Sequence, residues 1–243
     1  MLIAKDIEWF QKSLPPFAWI FVKIAPIFLL PRQLLLYRLH KKNAGTRMAG
    51  LHFKTRFSVP HPKGSPATTI LLRWLQRQQL QQKSLLVAGN GCGVLTVFAA
   101  RNGAKVLAVA SDPEAVSLTC ENVDLHGLSE QVTCRENKAL SGIETPPLYD
   151  LIVFEPSLFV SADFASHGKP VALRWLAQAQ PLLAQGGRAI LVLHDGLPLA
   201  RIAKAFETSG YDLAGHECKL RAAGRWHLLL LKSAKPVSLK KSS

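Results

Sequence analysis

Three glycines alternate with other residues in the first half of the chain, at Gly89, Gly91 and Gly93. They follow an apolar run over residues 85–88 that is typical of a buried strand. They precede apolar residues at helical spacing from Val94 until Gly103 ends the predicted helix. A glycine turn between a strand and a helix lets backbone N–H groups approach a ligand, because no Cβ stands in the way.

The glycine spacing narrows the class of ligand. The dinucleotide fingerprint requires a third glycine after two intervening residues, and Val94 stands at that position. Val94 is also too large for the close helix–strand packing of that fingerprint. A phosphate-binding P-loop is excluded as well, because no Gly-Lys-Ser/Thr sequence follows. The loop therefore predicts a ligand that is neither a dinucleotide nor a phosphate bound by a P-loop.

Histidines and cysteines give weaker signals. His61 precedes the glycine unit and His194-Asp195 ends a predicted strand, where each could contact a substrate or serve as an ordinary loop residue. The other histidines considered show no metal-ligand spacing, and the cysteines show no C-x-x-C pair, so no metal site is expected. These residues are His167, His216 and His227, and Cys92, Cys120, Cys134 and Cys218.

Composition favours a folded protein with a polyanionic partner. A hydrophobic content of 48% with 19% charged residues argues against disorder, and 243 residues suffice for one α/β domain with a terminal extension. The net charge of +14 favours nucleic acid or an anionic membrane surface, although a generically basic protein has the same charge. The cysteine pattern indicates a reducing, cytoplasmic compartment.

Residues 1–50 differ from the rest of the chain. The stretch 17–30 is strongly apolar, and basic residues from Arg32 to Arg47 follow it. Asp6 and Glu8 argue against a secretory signal, while Lys23 and Pro26 interrupt a run already too short to span a membrane. Two interpretations stay open: a helical cap on the domain, or an interfacial helix on an anionic membrane. The Lys/Ser-rich tail at 233–243 is predicted to be disordered.

Strand and helix patterns alternate from residue 51 onward. Together they predict a doubly wound, mostly parallel α/β sheet of seven strands, with a terminal hairpin that makes the last strand antiparallel. A further strand pattern covers 51–57. The sheet strands are predicted over 85–88, 105–109, 132–135, 149–154, 188–193, 211–220 and 225–231, and helices over 67–79, 94–103, 115–126, 171–183 and 199–208.

Residues 51–232 resemble a class I S-adenosylmethionine-dependent methyltransferase of the small-domain group, which contains ribosomal-RNA guanine-N2 and protein-glutamine methyltransferases. The resemblance is carried by the glycine loop, by Ala110-Ser111-Asp112-Pro113-Glu114, and by Glu121-Asn122-Val123-Asp124-Leu125. It is also carried by the stretch 150–156 and by Gly186-Gly187. It implies a Rossmann-like fold, S-adenosylmethionine as cofactor, and Gly89, Gly91 and Gly93 lining its methionine end.

The sequence departs from the family where acidic residues usually hold the cofactor. The resemblance places acids at the positions of Val87, Ala110 and Asn137-Lys138. Asp112 lies two residues beyond Ala110. It either takes the ribose-binding role or serves only as the N-cap of the following helix.

The acceptor motif also departs from the family. Amine-methylating relatives carry Asn/Asp-Pro-Pro-Tyr/Phe, whereas this chain has Glu155-Pro156-Ser157-Leu158-Phe159. Glu155 can accept hydrogen bonds from an amine, and Phe159 offers a stacking face one position late. The expected function is methyl transfer to an amine or a nucleic-acid base, RNA included. The alternative is a non-catalytic module that binds RNA or a membrane, which would make the protein peripheral to the membrane rather than purely cytoplasmic.

Overall fold

The computed structural model describes residues 45–89, 91–137, 140, 143, 148–154, 176–194, 199–221 and 224–234. Its helices are α1 (Pro66–Leu75), α2 (Val94–Arg101), α3 (Pro113–Leu125) and α4 (Leu199–Thr208), with 3-10 turns at Pro62–Gly64 and Gln180–Leu182. Its strands are β1 (Thr46–Met48), β2 (Leu51–Phe53), β3 (Ser84–Ala88), β4 (Lys105–Ala110), β5 (Val132–Glu136), β6 (Tyr149–Phe154), β7 (Leu183–His194), β8 (Tyr211–Arg221) and β9 (Gly224–Ser233).

Seven strands form one sheet in the order β5-β4-β3-β6-β7-β9-β8. The pairings β3–β4, β3–β6, β4–β5 and β6–β7 are parallel, whereas β9 runs antiparallel to both β7 and β8. The predicted doubly wound sheet with an antiparallel terminal strand is therefore confirmed.

The two faces of the sheet bury separate apolar cores, as expected for strands covered on both sides. One core contains Val87 and Val153 with α1, α2 and α3, and the other contains Ala88 and Phe154 with α4. Beyond Ser84 and Asp150, the two central strands β3 and β6 are apolar because alternate residues enter opposite cores. No helix among the described residues is long and apolar enough to cross a membrane.

The helix predicted over 171–183 ends earlier than expected. Residues 176–179 are helical, but Leu183 already pairs with Tyr149 as the first residue of β7. The pairing then shifts, so that Arg188 lies opposite Leu151 and the residues between bulge out of the ladder. Gly186 and Gly187 therefore lie in a bulge within the strand.

A short hairpin precedes the main sheet. Its strands β1 and β2 pair antiparallel across a turn in which Ala49 and Gly50 both have positive φ, the geometry of a type I′ turn. The hairpin spans the boundary predicted at residue 50. It packs on α3, where His126 Nε2 donates to the carbonyl oxygen of His52 at 2.7 Å.

Ion pairs hold the following segment on the same helix. Arg56 bridges Glu114 and Glu121 of α3, and Lys54 Nζ lies 3.8 Å from Glu121. The hairpin and the residues after it are therefore a fixed part of the domain surface around α3.

Candidate functional site

The strand order reverses between β3 and β6, the two strands at the centre of the parallel sheet. The chain leaves β3 toward β4 and β5 on one side and returns to β6 and β7 on the other. Ligands of open α/β sheets bind outside the carboxyl ends of the strands at such a switch point. Ala88 and Phe154 end β3 and β6 side by side at this edge.

The glycine loop lies at the same edge. Gly89, Gly91 and Gly93 have φ values of +91°, +53° and +81°, in the left-handed region that favours glycine. The Gly89 N–H donates to the carbonyl oxygen of Val109 at 2.8 Å, which fixes the loop to the end of β4. Gly93 is the N-cap of α2 and supplies no side chain to cap it.

A Cβ at Gly93 would also meet its neighbour. It would lie 2.9 Å from Cγ2 of Thr119 and 3.3 Å from the Thr119 Cα, too close for ordinary packing. The loop therefore requires glycine here both for its backbone conformation and for its approach to α3.

Two polar side chains of α3 hold the loop from behind. Thr119 Oγ1 donates to the Gly91 carbonyl oxygen at 3.4 Å, and Asn122 Nδ2 donates to the Cys92 carbonyl oxygen at 2.9 Å. Both side chains are buried on the face of α3 that packs on the domain. Sequence reasoning assigned them no role. A signal was present, because these two polar residues interrupt the otherwise apolar buried stripe of the helix.

Two of the three positions at which the family carries acids are apolar and buried in this chain. Val87 and Ala110 both lie in the core, so neither offers a carboxylate. Glu136 is the Cα partner of Ala110 in the β4–β5 ladder and is exposed, and the Asn137 N–H donates to the Ala110 carbonyl oxygen at 2.9 Å. β4 therefore ends without a carboxylate, and the strand beside it carries Glu136, a residue that sequence reasoning did not single out.

Asp112 is the N-cap of α3. Its Oδ1 accepts a hydrogen bond from the Glu114 N–H at 3.0 Å, and its backbone is extended as an N-cap requires. The side chain is exposed and follows β4 at the carboxyl edge of the sheet. The capping role expected as one alternative is therefore present.

The predicted acceptor residues Glu155, Pro156 and Phe159 lie outside the described residues, as does His167. His61 accepts a hydrogen bond from the Lys63 N–H at 3.2 Å and so caps a 3-10 turn. His194 ends β7, and its ring meets the Trp226 ring edge-on with centroids 4.8 Å apart.

The remaining titratable candidates do not form a metal or thiolate site. Among the described residues, no group of three or more His, Cys, Asp or Glu could hold a metal ion. Burial, with the hydrogen bond to Cys120 as a second cause, raises the pKa of Cys134 so that its thiol stays protonated. His216 Nε2 lies 3.0 Å from His227 Nδ1 on the β8–β9 hairpin, and burial lowers the pKa of His216.

The switch point offers a ligand open backbone but lacks the carboxylates that the family carries on the neighbouring strands. Three left-handed glycines leave the backbone of the loop without side chains. The usual acids are absent from β3 and β4, and the carboxylates available near Ala110 are Asp112 and Glu136.

Curated methyltransferases are similar in sequence to much of the folded part of this chain. The chain is 32% identical over 149 residues to a ribosomal protein L11 methyltransferase of Bacillus pumilus, covering 61% of this chain and 44% of that protein. It is 30% identical over 192 residues to a release factor glutamine methyltransferase of Deinococcus radiodurans, covering 69% and 66%. The chain thus spans about half the length of the first of these curated relatives.

Solved structures share the fold. A ribosomal protein L11 methylase of Lactobacillus delbrueckii subsp. bulgaricus has a TM-score of 0.53 at 24% identity, covering 69% of this chain and 79% of that one. A T. thermophilus 16S rRNA N2 G methyltransferase, solved with AdoMet and guanosine, has a TM-score of 0.59 at 21% identity, covering 78% and 50%.

The sequence profile of the methyltransferase small domain family matches residues 57–212, which include β3 to β7, the glycine loop and α3. This range covers more than half of the chain and contains the switch point described above. The protein therefore belongs to the methyltransferase small domain family of class I enzymes, whose cofactor is S-adenosylmethionine.

Proposed function

We propose that this protein transfers the methyl group of S-adenosylmethionine to an amine nitrogen, and that the amine is carried by a base of RNA. The observation that carries the proposal is the left-handed glycine loop at the switch point of the sheet. Such a loop serves a ligand, because a turn needed only to connect β3 to α2 does not require three alternating residues of positive φ.

The glycine loop would hold the methionine end of the cofactor. Gly89, Gly91 and Gly93 present backbone without side chains at the carboxyl edge of β3. The N-terminus of α2 begins directly after Gly93 and favours a negatively charged group such as the cofactor carboxylate.

The ribose would be held by the carboxylates beside Ala110. Asp112 has committed Oδ1 to the helix cap, and its Oδ2 can accept a further bond. Glu136 is exposed and lies opposite Ala110 in the sheet. A carboxylate that accepts a hydroxyl hydrogen bond contributes roughly 1.5–3 kcal/mol, so each of these residues would carry a measurable share of affinity.

When bound, S-adenosylmethionine supplies an electrophilic methyl group on a sulfonium. The protein contributes orientation of the acceptor and exclusion of water. Glu155 would accept hydrogen bonds from the target amine, Pro156 would shape the turn after β6, and Phe159 would stack on the acceptor. These roles rest on the sequence motif alone.

The tip of the β8–β9 hairpin supports an RNA acceptor. β7 ends at His194 opposite Trp226, so the tip of the hairpin projects past the carboxyl edge of the sheet on the side of the glycine loop. The tip carries Arg221 and Arg225 with no carboxylate between them in the sequence, and Leu220 is 73% exposed. Lys219, next to the tip, pairs with Glu217 at 3.1 Å. Cations attract phosphates, and an exposed apolar side chain suits an unstacked base.

Calorimetric titration with S-adenosylhomocysteine tests the cofactor assignment. We expect heat of binding from the unsubstituted protein and none from Gly91→Leu, because a side chain there would fill the space of the ligand. Absence of heat and of a thermal shift with the unsubstituted protein at millimolar ligand would exclude the enzyme. RNA binding in that case would identify the non-catalytic module instead.

Charge reversal tests the acceptor assignment. We expect the double variant Arg221→Glu, Arg225→Glu to bind structured RNA more weakly and with a shallower salt dependence. Lys105→Glu is the matched control, since Lys105 begins β4 at the opposite edge of the sheet and is exposed. Equal RNA affinity of the double variant and the control would favour a protein acceptor.

A further inference from the structure

The side-chain amide of Asn122 joins the glycine loop to the segment that follows the N-terminal hairpin. Its Nδ2 donates to the Cys92 carbonyl oxygen at 2.9 Å and to the Lys54 carbonyl oxygen at 3.1 Å. Its Oδ1 accepts from the Lys54 N–H at 2.7 Å. The side chain is fully buried on α3, and its one amide satisfies three backbone groups.

The bond to Cys92 determines where the next N–H points. In a planar trans peptide, the carbonyl of one residue and the N–H of the next point in opposite directions. Because Asn122 draws the Cys92 carbonyl toward α3, the N–H of Gly93 is directed away from α3. The loop itself lies at the carboxyl edge of the sheet, where the cofactor is proposed to bind, so an N–H that points away from α3 is available to that ligand.

Glycine flexibility makes this constraint necessary. Gly91 and Gly93 flank Cys92, and both have positive φ, a region that glycine enters and leaves at little cost. If the Cys92 carbonyl had no hydrogen-bond partner, the plane of the peptide between Cys92 and Gly93 could change its orientation through the flanking φ and ψ angles. Thr119 holds the preceding carbonyl through a longer bond of 3.4 Å, so Asn122 is the stronger of the two restraints.

We infer that Asn122 is a positioning residue for S-adenosylmethionine, acting through the Cys92–Gly93 peptide to keep the Gly93 N–H directed at the cofactor carboxylate. This inference rests on the proposed function, because it concerns the ligand of the same loop. Asn122 itself touches no ligand in this arrangement, since both ends of its amide are occupied by backbone. The same side chain makes the loop conformation depend on the docking of Lys54.

The test separates affinity from stability by comparing Asn122 with His126, which directly follows α3. Asn122→Ala removes the bonds to Lys54 and to Cys92, whereas His126→Ala removes the bond to the His52 carbonyl oxygen and the ring contact with Phe53, both in the hairpin. Asn122→Asp is the second variant, because it keeps the acceptor for the Lys54 N–H and loses both amide donors. Each protein is titrated with S-adenosylhomocysteine at a temperature at which circular dichroism shows it fully folded.

We expect the dissociation constant to rise by roughly tenfold or more in both Asn122 variants, the effect of losing one well-aimed donor to a charged group. We expect it to stay unchanged in His126→Ala, although that variant also melts at a lower temperature. The dissociation constant of Thr119→Val should lie between those of the Asn122 variants and that of His126→Ala.

Unchanged affinity in a folded Asn122 variant would overturn the inference, and so would an equal loss of affinity in His126→Ala. Failure of both Asn122 variants to fold would overturn it too, because the residue would then serve the fold as a whole. Absence of binding by the unsubstituted protein would instead overturn the proposed function, and the inference with it. The failures of the two proposals are thus distinguishable.

Discussion

Gly93 meets two requirements at one position. Its φ of +81° excludes most side chains, and the space where a Cβ would stand is occupied by Thr119. Gly127 has a φ of +64° but nothing within 4 Å of its Cβ position. Substitution at Gly127 therefore tests backbone strain alone, whereas substitution at Gly93 tests backbone strain together with steric overlap.

We expect Gly93→Ala to destabilise the fold by more than Gly127→Ala. A left-handed residue other than glycine costs about 1–2 kcal/mol, and overlap in a packed region adds roughly 1–3 kcal/mol. Urea denaturation of both variants measures the free energies of unfolding. Equal losses would mean that Thr119 moves aside without cost.

Asp112→Ala distinguishes a helix cap from a cofactor ligand. Loss of the bond to the Glu114 N–H should lower the free energy of unfolding by about 1 kcal/mol. If Asp112 also binds ribose, affinity for S-adenosylhomocysteine should fall by about tenfold or more as well. The matched variant is Glu136→Gln, which caps no helix. If Asp112→Ala loses stability without losing affinity, and Glu136→Gln loses affinity, the ribose is assigned to Glu136.

The glycine loop could be predicted from sequence because its information is local. The strand, the glycines and the helix lie within twenty residues of one another, and each residue type favours the backbone conformation of its own position. The role of Asn122 was not predictable in this way. Its partner Lys54 lies 68 residues earlier, and only the folded chain brings the two together.

Elements were predicted best where their patterns were long. The strand at 149–154 and the helix at 199–208 have the predicted bounds, because an apolar run or a helical period specifies them alone. β1 was missed, since three residues carry no period and their pairing depends on β2. The early end of the helix predicted over 171–183 depends on pairing as well, because Leu183 joins the ladder beside Tyr149.

The β8–β9 hairpin should make stability depend on pH. Burial lowers the pKa of His216 below its usual 6.5, so the folded state binds this proton less readily than the unfolded state does. Stability contributed by neutral His216 is therefore present above pH 6.5 and is lost as the pH falls below 6.5. The slope reaches at most about 1.4 kcal/mol per pH unit for one proton.

Melting temperatures of the unsubstituted protein and of His216→Gln between neutral and mildly acidic pH measure this dependence. The variant should lose less stability on acidification, because it has no proton to gain at that position. An identical pH profile would show that His216 does not couple folding to protonation.

The whole molecule combines a basic surface with an N-terminal segment of different character. Residues 1–44 lie outside the described residues, so the helical cap and the interfacial membrane helix stay predictions. β1 begins at Thr46 and belongs to the hairpin that packs on α3. A truncation that tests the segment must therefore keep β1 and start at Gly45 instead of Leu51.

We expect the full chain to sediment weakly with anionic vesicles at low salt and to stay in the supernatant at high salt. The chain starting at Gly45 should stay in the supernatant at both salt concentrations. Vesicles of neutral lipid are the control for apolar binding alone. If the full chain never sediments and the shortened chain aggregates, the segment is a cap over an apolar surface.

The hydrogen bonds between Lys54 and Asn122 also have a consequence for the order of folding. They close a loop of 68 residues, which contains α1, β3, the glycine loop, α2 and β4. Closing a long loop is slow, because its entropy is lost before the contact is gained. During synthesis the glycine loop leaves the ribosome before α3 does. The backbone of the loop therefore becomes fixed only after α3 has been made and has packed against it.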